Sequence, residues 1–280
     1  MEGTKIKMVV CDIDDTLVHK EQHLSPEVTE TIEKLRKQNV FFTLATGRMP
    51  FRAEMFAKEA GLDIPYVANN GSILYDRGKV IYKKLLKASI LKDLLRHYME
   101  TCPEFTVIFS YEDRECPVRS TPWTEARRYK YKGYDEILGD TDQVWEQEVH
   151  KVYVLDDGRT GLIGEVARQL EQLNGAFTFF QYGEYSIEIV AEGCSKASGV
   201  KQLLDYMQID PSQVMAIGDH TNDIEVVTMV GTGVAVANAD PGLKRVADYI
   251  TGGEREDGVI EAINRFVLNM EETEDGTCKG

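Results

Sequence analysis

Met8-Val9-Val10-Cys11-Asp12-Ile13-Asp14-Asp15-Thr16-Leu17 passes from an unbroken apolar run to a cluster of carboxylates in one step. Residues 6–13 are short, apolar and rich in β-branched side chains, the pattern of a parallel strand covered on both faces. Asp12 and Asp14 stand two apart at its end, so a sharp turn after the strand aims both into one pocket. A parallel partner strand needs a crossover, and the next segment supplies a helix. Ser25 is placed as N-cap, Pro26 at the first helical position and Glu27 in the first turn, with Val28, Ile32 and Leu35 on one face. Residues 40–45 form a second apolar run ending in Thr46-Gly47-Arg48. A helix over 51–60 then leads to Pro65-Tyr66-Val67-Ala68, the polar Asn69-Asn70-Gly71, and two short strands joined at Asp76-Arg77-Gly78.

The middle of the chain differs in kind. After a helix over 90–100 and a strand over 105–111 comes a polar, aromatic-rich stretch with Trp123 and Trp145. A strand over 149–155, a helix carrying Leu162, Ile163, Val166, Ala167 and Leu170, and two more strands follow. This unit is long enough for its own core and interrupts the alternation of the flanks. Alternation resumes with a helix from Ser195 or Lys196 to Met207 and the strand Val214-Met215-Ala216-Ile217-Gly218-Asp219. A helix from about Asn222, a strand near 233–236, a helix opening at Asp240-Pro241-Gly242, a strand at Tyr249-Ile250 and a helix over 258–267 complete it. The fold expected is α/β: a doubly wound, Rossmann-like parallel-sheet core from 1–83 and 189–280, with an inserted α+β cap domain over 84–188. The polar, acidic tail 271–280 is expected to fray.

The 280 residues exceed the common size of one domain, and a 42% hydrophobic share supplies material for two cores. Lys and Arg total 32 against 47 Asp and Glu, a net charge of −15. Such a surface repels nucleic acid and anionic membranes, and Arg127-Arg128-Tyr129-Lys130-Tyr131-Lys132, the single dense basic run, is short. Neither nucleic acid nor membrane is expected as a partner; oligomeric state is open. Cys11, Cys102, Cys116, Cys194 and Cys278 are odd in number and form no CxxC pair, which argues against a disulfide scaffold or zinc site. No stretch approaches the roughly 20 apolar residues of a membrane span, and no signal peptide is expected. The expected setting is a reducing cytoplasm.

Ligands of parallel α/β sheets bind outside the carboxyl ends of the strands. Asp12 with Asp14, Thr46 and Asp219 stand at three such ends, and Lys196 begins a helix just past the last strand of the insertion. These groups suit phosphoryl transfer. A carboxylate can attack as nucleophile, and a second carboxyl group can give a proton to the leaving oxygen and later take one from water. Close anions meeting an anionic phosphate need a cation, for which Mg2+ is the natural choice. Asp223 adds a further carboxylate, Thr46 a hydrogen bond to phosphoryl oxygen, and Lys196 a positive charge. An EF-hand is excluded, because Leu17 stands where its loop requires Gly and His23 where it requires Glu.

In this order, the residues resemble the haloacid dehalogenase superfamily of phosphatases. DxDxT matches Asp12, Asp14 and Thr16; the strand-end Thr matches Thr46; the Lys matches Lys196; GDxxND matches Gly218, Asp219, Asn222 and Asp223. The long insertion resembles the large α/β cap of the Cof-type subfamily, and Asn70-Gly71 its substrate-side NG segment. The resemblance implies an aspartyl-phosphate on Asp12, Asp14 as acid/base, and Mg2+ held by Asp12, the main-chain carbonyl of Asp14 and Asp219, with Asp223 in support. Thr46, Gly47, Arg48, Asn70, Gly71, Lys196 and Asn222 are then the expected phosphate and substrate contacts. Asp15 stands where many members have Gly.

The expected activity is Mg2+-dependent hydrolysis of a small phosphorylated metabolite, with sugar phosphates as the class. A sugar phosphomutase and a non-catalytic phosphate-binding module are the alternatives. Arg48 is placed equally at a surface salt bridge or on substrate. Glu188, between Ile187 and Ile189, is expected on a solvated strand face, and His220 on a solvent-facing loop.

Overall fold

The computed structural model describes residues 5–19, 23–158 and 160–268. It divides into two compact units, one made of residues up to Arg48, Arg52–Ile81 and from Ser195 onward, the other of Met49–Phe51 and Tyr82–Cys194. The expected fraying of 271–280 lies outside the described residues.

The first unit is built on a five-stranded sheet in the order Tyr249–Ile250, Thr232–Ala235, Val214–Gly218, Met8–Cys11, Phe41–Leu44. Every pairing in it is parallel, with Met8 opposite both Val214 and Phe41. Met8–Cys11 is buried at every position, which is why its sequence is apolar without alternation. From this strand the chain winds outward to Phe41–Leu44, and on return outward the other way through Val214–Gly218. The switch in winding direction therefore falls between Met8–Cys11 and Val214–Gly218, where helices leave on opposite faces and a crevice opens at the carboxyl ends. Asp12 and Asp219 directly follow these two strands.

Local chemistry sets the crossovers. Helix Pro26–Lys37 starts at Ser25, whose hydroxyl accepts from the Val28 N–H, and buries Val28, Thr31, Ile32 and Leu35. Helix Lys196–Met207 begins with a reciprocal Ser195/Ser198 capping box. Tyr66–Ala68 is joined to the main sheet by a parallel Ala45–Val67 bridge and pairs antiparallel with Ile73–Asp76. The expected helix from Asn222 is split into a 3-10 turn, Thr221–Asp223, and an α-helix, Ile224–Met229. The last helix ends earlier than expected, at Ile263, and opens into a wider π turn over Asn264–Leu268.

The second unit is α+β. Its antiparallel sheet runs Phe177–Tyr182, Ser186–Ala191, Lys151–Asp156, Phe105–Ser110, Glu115–Pro117, and the helices Lys92–Thr101 and Leu162–Gln172 contribute to its core. The expected boundary at residue 188 would cut a strand. Ser186–Ala191 pairs along its length with both Lys151–Asp156 and Phe177–Tyr182, so the unit extends to Cys194. Trp145 is fully buried edge-on to Phe109, with its indole N–H donating to Asp140. Glu188 is not on a solvated face: its carboxylate meets Lys151 Nζ at 2.6 Å, with both side chains largely buried. A strand with apolar neighbours on both sides carries no sign of which face is covered. No helix among the described residues is long and apolar enough to cross a membrane.

Candidate active site

Asp12 continues the central strand by one hydrogen bond, its N–H donating to the Ile217 carbonyl at 3.0 Å. The chain then turns back: the N–H groups of Leu17 and Val18 both reach the Ile13 carbonyl, and the Asp15 N–H reaches Val18. The turn puts the two motif carboxylates in different surroundings. Asp12 is buried, whereas half of the Asp14 side chain is exposed.

Lys196 is buried at the first position of its helix, where the positive end of the peptide dipoles disfavours an ammonium. Two carboxylates answer that cost. Nζ lies 2.7 Å from Asp12 Oδ1 and 2.7 Å from Asp223 Oδ1. Burial alone would lower the Lys196 pKa, but Asp12 and Asp223 outweigh it and hold the group charged. Asp223 Oδ2 in turn accepts the N–H groups of Asp219 and His220. Gly218 makes room for this carboxylate, since a Cβ there would sit 2.5 Å from its carboxyl carbon. His220 thus takes part in the turn through its main chain, with its ring against the Thr221 hydroxyl.

Asp219 Oδ1 accepts from the buried Thr16 hydroxyl at 2.7 Å, which ties the turn after the first strand to the end of its neighbour. One carboxylate oxygen from each of Asp12, Asp219 and Asp223 lies within 4.8 Å of the others. Burial pushes the Asp12 carboxyl well above the carboxylate range despite Lys196, with Asp223 and Asp219 adding to the rise. Burial also raises Asp219, to about 6, although the Thr16 hydroxyl works against it. Three crowded, buried carboxylates around a single ammonium are a hard, all-oxygen donor set with an excess of negative charge. That chemistry fits Mg2+ and does not fit a soft metal.

The remaining expected residues form the rim. The Thr46 hydroxyl is buried and accepts from the Arg48 N–H at 3.1 Å. Arg48 clasps Asp14 through two bonds, Nε to Oδ2 at 2.9 Å and Nη2 to Oδ1 at 2.5 Å, and its guanidinium lies over Phe56 at 4.7 Å. Gly47 links the two. Asn70 is buried, and its Oδ1 accepts from Asn222 Nδ2 at 3.1 Å. Asn69 and Asn70 are both left-handed, with φ of 49° and 48°. Gly71 follows at φ 85°, where a Cβ would lie 1.8 Å from the Ser195 carbonyl, so this turn packs directly on the start of the Lys196 helix.

Asp12, Lys196, Asp219 and Asp223 therefore meet, Thr46 and Asn70 lie beside strand ends of the same unit, and Asp14 is held by Arg48. Thr16, matched in the motif but given no task, bonds a metal-candidate carboxylate. Arg255 and Asn238, which hold Asp15, carried no sign of it in sequence. Their partner lies more than 200 positions away.

The chain belongs to the haloacid dehalogenase-like hydrolases, whose family profile matches residues 9–263. It is 28% identical to the 5-amino-6-(5-phospho-D-ribitylamino)uracil phosphatase YcsE of Bacillus subtilis, over 95% of this chain and 98% of that one. It is 26% identical to a phosphoglycolate phosphatase of Methanothermobacter thermautotrophicus, over 94% and 99%. Among solved structures, a haloacid dehalogenase-like hydrolase from Bacteroides thetaiotaomicron superposes with a TM-score of 0.77 at 27% identity, covering 93% of this chain and 99% of that one.

Proposed function

We propose that this hydrolase is a Mg2+-dependent phosphomonoesterase that cleaves a small phosphorylated metabolite, a sugar phosphate in the first instance, through an aspartyl-phosphate on Asp12. The observation that carries the reading is the shared ammonium: Lys196 grips Asp12 and Asp223 at 2.7 Å each, beside Asp219. The two relatives above are named for phosphomonoesters of small molecules, which supports the substrate class. The unbridged Cys11, Cys102, Cys116 and Cys194 suit a cytoplasmic setting.

In this reading Asp12, the main-chain carbonyl of Asp14 and Asp219 would hold Mg2+, with Asp223 in support. When bound, the ion offsets the repulsion between carboxylate and phosphate. Lys196 orients Asp12 by holding Oδ1 and lends charge to the phosphoryl oxygens. An Asp12 oxygen attacks phosphorus as the ester P–O bond breaks, and Asp14 gives a proton to the departing oxygen. Asp14, now a carboxylate, takes a proton from water, whose oxygen attacks phosphorus and breaks the bond to Asp12. Inorganic phosphate leaves, and Asp14 is again protonated. For this cycle Arg48 must release Asp14, because both carboxylate oxygens are engaged by the guanidinium. Thr46 and Asn70 are assigned to phosphoryl and substrate contacts.

Hydrolysis of para-nitrophenyl phosphate with Mg2+, lost in Asp12→Asn, is the expected result; an Asp12→Asn variant with full turnover refutes the nucleophile. Phosphate release without an acceptor sugar separates hydrolysis from mutase chemistry. A screen of phosphorylated metabolites then identifies the substrate.

A further inference from the structure

Asp15 is a left-handed L-residue, with φ of 55°, in the turn that carries Asp14. Glycine adopts this conformation freely, whereas a side chain costs about 1–2 kcal/mol there. The residue is nonetheless held on three sides. Its carbonyl accepts from Asn238 Nδ2 at 2.7 Å. Its carboxylate accepts from Arg255 Nε at 3.3 Å and meets His19 Nδ1 at 2.9 Å. Asn238 and Arg255 are themselves joined, because Asn238 Oδ1 accepts the Arg255 N–H at 2.8 Å. Arg255 is left-handed too, with φ of 52°. Two backbone positions 240 residues apart are thus each bent into the costly region and linked by one another's groups.

The peptide between Asp14 and Asp15 is held directly at its N–H and, through the next peptide, at the carbonyl one residue further on. Its N–H donates to Val18, and the following carbonyl is taken by Asn238. The Asp14 carbonyl is part of that planar peptide, so its direction follows the peptide's orientation. The Asp15–Arg255 ion pair is exposed and contributes little folding energy by itself. We infer that Asp15, Arg255 and Asn238 form a clamp that aims the Asp14 main-chain carbonyl at the Mg2+ position, making Asp15 a positioning residue for the metal. This rests on the metal assignment in the proposed function. Clamping a carbonyl in advance lowers the ordering cost of binding, as partners behind a metal ligand do elsewhere.

The test uses the whole protein and two variants, Asp15→Gly, which keeps the backbone conformation accessible, and Arg255→Met, which leaves the motif intact. Mg2+ affinity is read by calorimetric titration and by the Mg2+-induced shift in Tm, with the Mg2+ dependence of para-nitrophenyl phosphate turnover beside them. In both variants half-saturation is expected to rise about tenfold, with excess Mg2+ recovering turnover. The metal-free Tm of Asp15→Gly should stay close to that of the parent, because relief of the left-handed strain offsets the lost contacts. Half-saturation within twofold of the parent in both variants overturns the clamp while leaving the metal assignment intact. A parent protein with no response to Mg2+ in any readout overturns the metal assignment and the clamp with it.

Discussion

Lys196→Met takes away the ammonium shared by Asp12 and Asp223 while keeping most of the side chain's volume. All three side chains are at most 7% exposed, so solvent does not screen the loss. Removing one partner from a buried ion pair costs about 3–5 kcal/mol, since the other charge stays buried. At about 2–4 °C per kcal/mol for a domain of this size, the first unit should melt about 10 °C lower. The pH dependence has a definite sign. The Lys196 pKa is raised in the fold, so its own contribution is complete below the pKa of a free lysine and constant across neutral pH. Asp12 is raised as well, and loss of Lys196 raises it further. A carboxyl raised in the fold favours the native state at low pH and turns against it as pH climbs past the ordinary carboxylate range. The loss should therefore be large at pH 8 and clearly smaller at pH 5. Scanning calorimetry in EDTA is the assay; Trp123 and Trp145 both lie in the second unit, so fluorescence would report the wrong transition. A loss below about 1 kcal/mol at pH 8, or equal losses at both pH values, refutes the reasoning. Asp12→Asn added to Lys196→Met should recover part of the stability by removing the stranded charge.

Asp219, raised to about 6, favours the metal-free fold below the ordinary carboxylate pKa and loses about 3 kcal/mol of that contribution as pH rises through 6. Excess Mg2+ should therefore raise Tm more at pH 8 than at pH 5, and an equal shift at both counts against the cluster as the binding site. Gly218→Ala drives a Cβ to within 2.5 Å of the Asp223 carboxyl carbon, so it should cost about 1–3 kcal/mol and most turnover. Normal melting and activity of that variant would show that Asp223 can sit elsewhere. Burial, helped by the charge of Lys83, lowers the His150 pKa to about 4. An unfolded histidine binds a proton near pH 6.5, so about 3 kcal/mol present above that pH should fade as pH drops to 4. Replacing His150 by Gln should flatten that part of the calorimetric profile, and an unchanged slope excludes it as the source.

What the sequence made legible follows the range of the interactions involved. The strand leading to Asp12, the capped helix at Ser25 and the helix that begins at Lys196 are written in contiguous residues; both helices form as expected, and the strand, expected over 6–13, is confined to Met8–Cys11. The spatial relation of Asp12 to Asp219 was legible because parallel winding leaves few ways to order the strands. Side-chain partners were not. Arg48 reads equally as a surface or a substrate residue, and its bond to Asp14 depends on a turn whose direction no pattern encodes. Glu188 reads as solvated because alternation describes the faces of a strand without saying what covers them, and here Lys151 covers it. Asp15 stands where many members of the family have Gly, and the residues that hold it lie at the other end of the chain.

The fold and the chemistry meet at the burial of like charges. Parallel strands end together, so a sheet of this kind gathers whatever follows its central strands into one crevice walled by helices. Here those residues are carboxylates, and the walls keep water away from them. Asp12 and Asp219 accordingly resist ionisation more than free carboxylates do. In the metal-free protein that resistance is a stability cost, only part of which Lys196 relieves. A hard dication held there, as proposed, would relieve the rest, and its affinity would arise largely from removing strain the fold has already imposed. The parts that gather the carboxylates can be told from those that aim the ligands. Gly218 makes room for the Asp223 carboxyl, and Thr16 and Lys196 hold Asp219, Asp12 and Asp223 in place while easing their burial, whereas Asp15 and Arg255 direct a neutral carbonyl. Substitutions in the first group should change metal-free stability and metal affinity together. Substitutions in the second should change affinity alone, and that difference in kind separates a strained donor set from an aimed one.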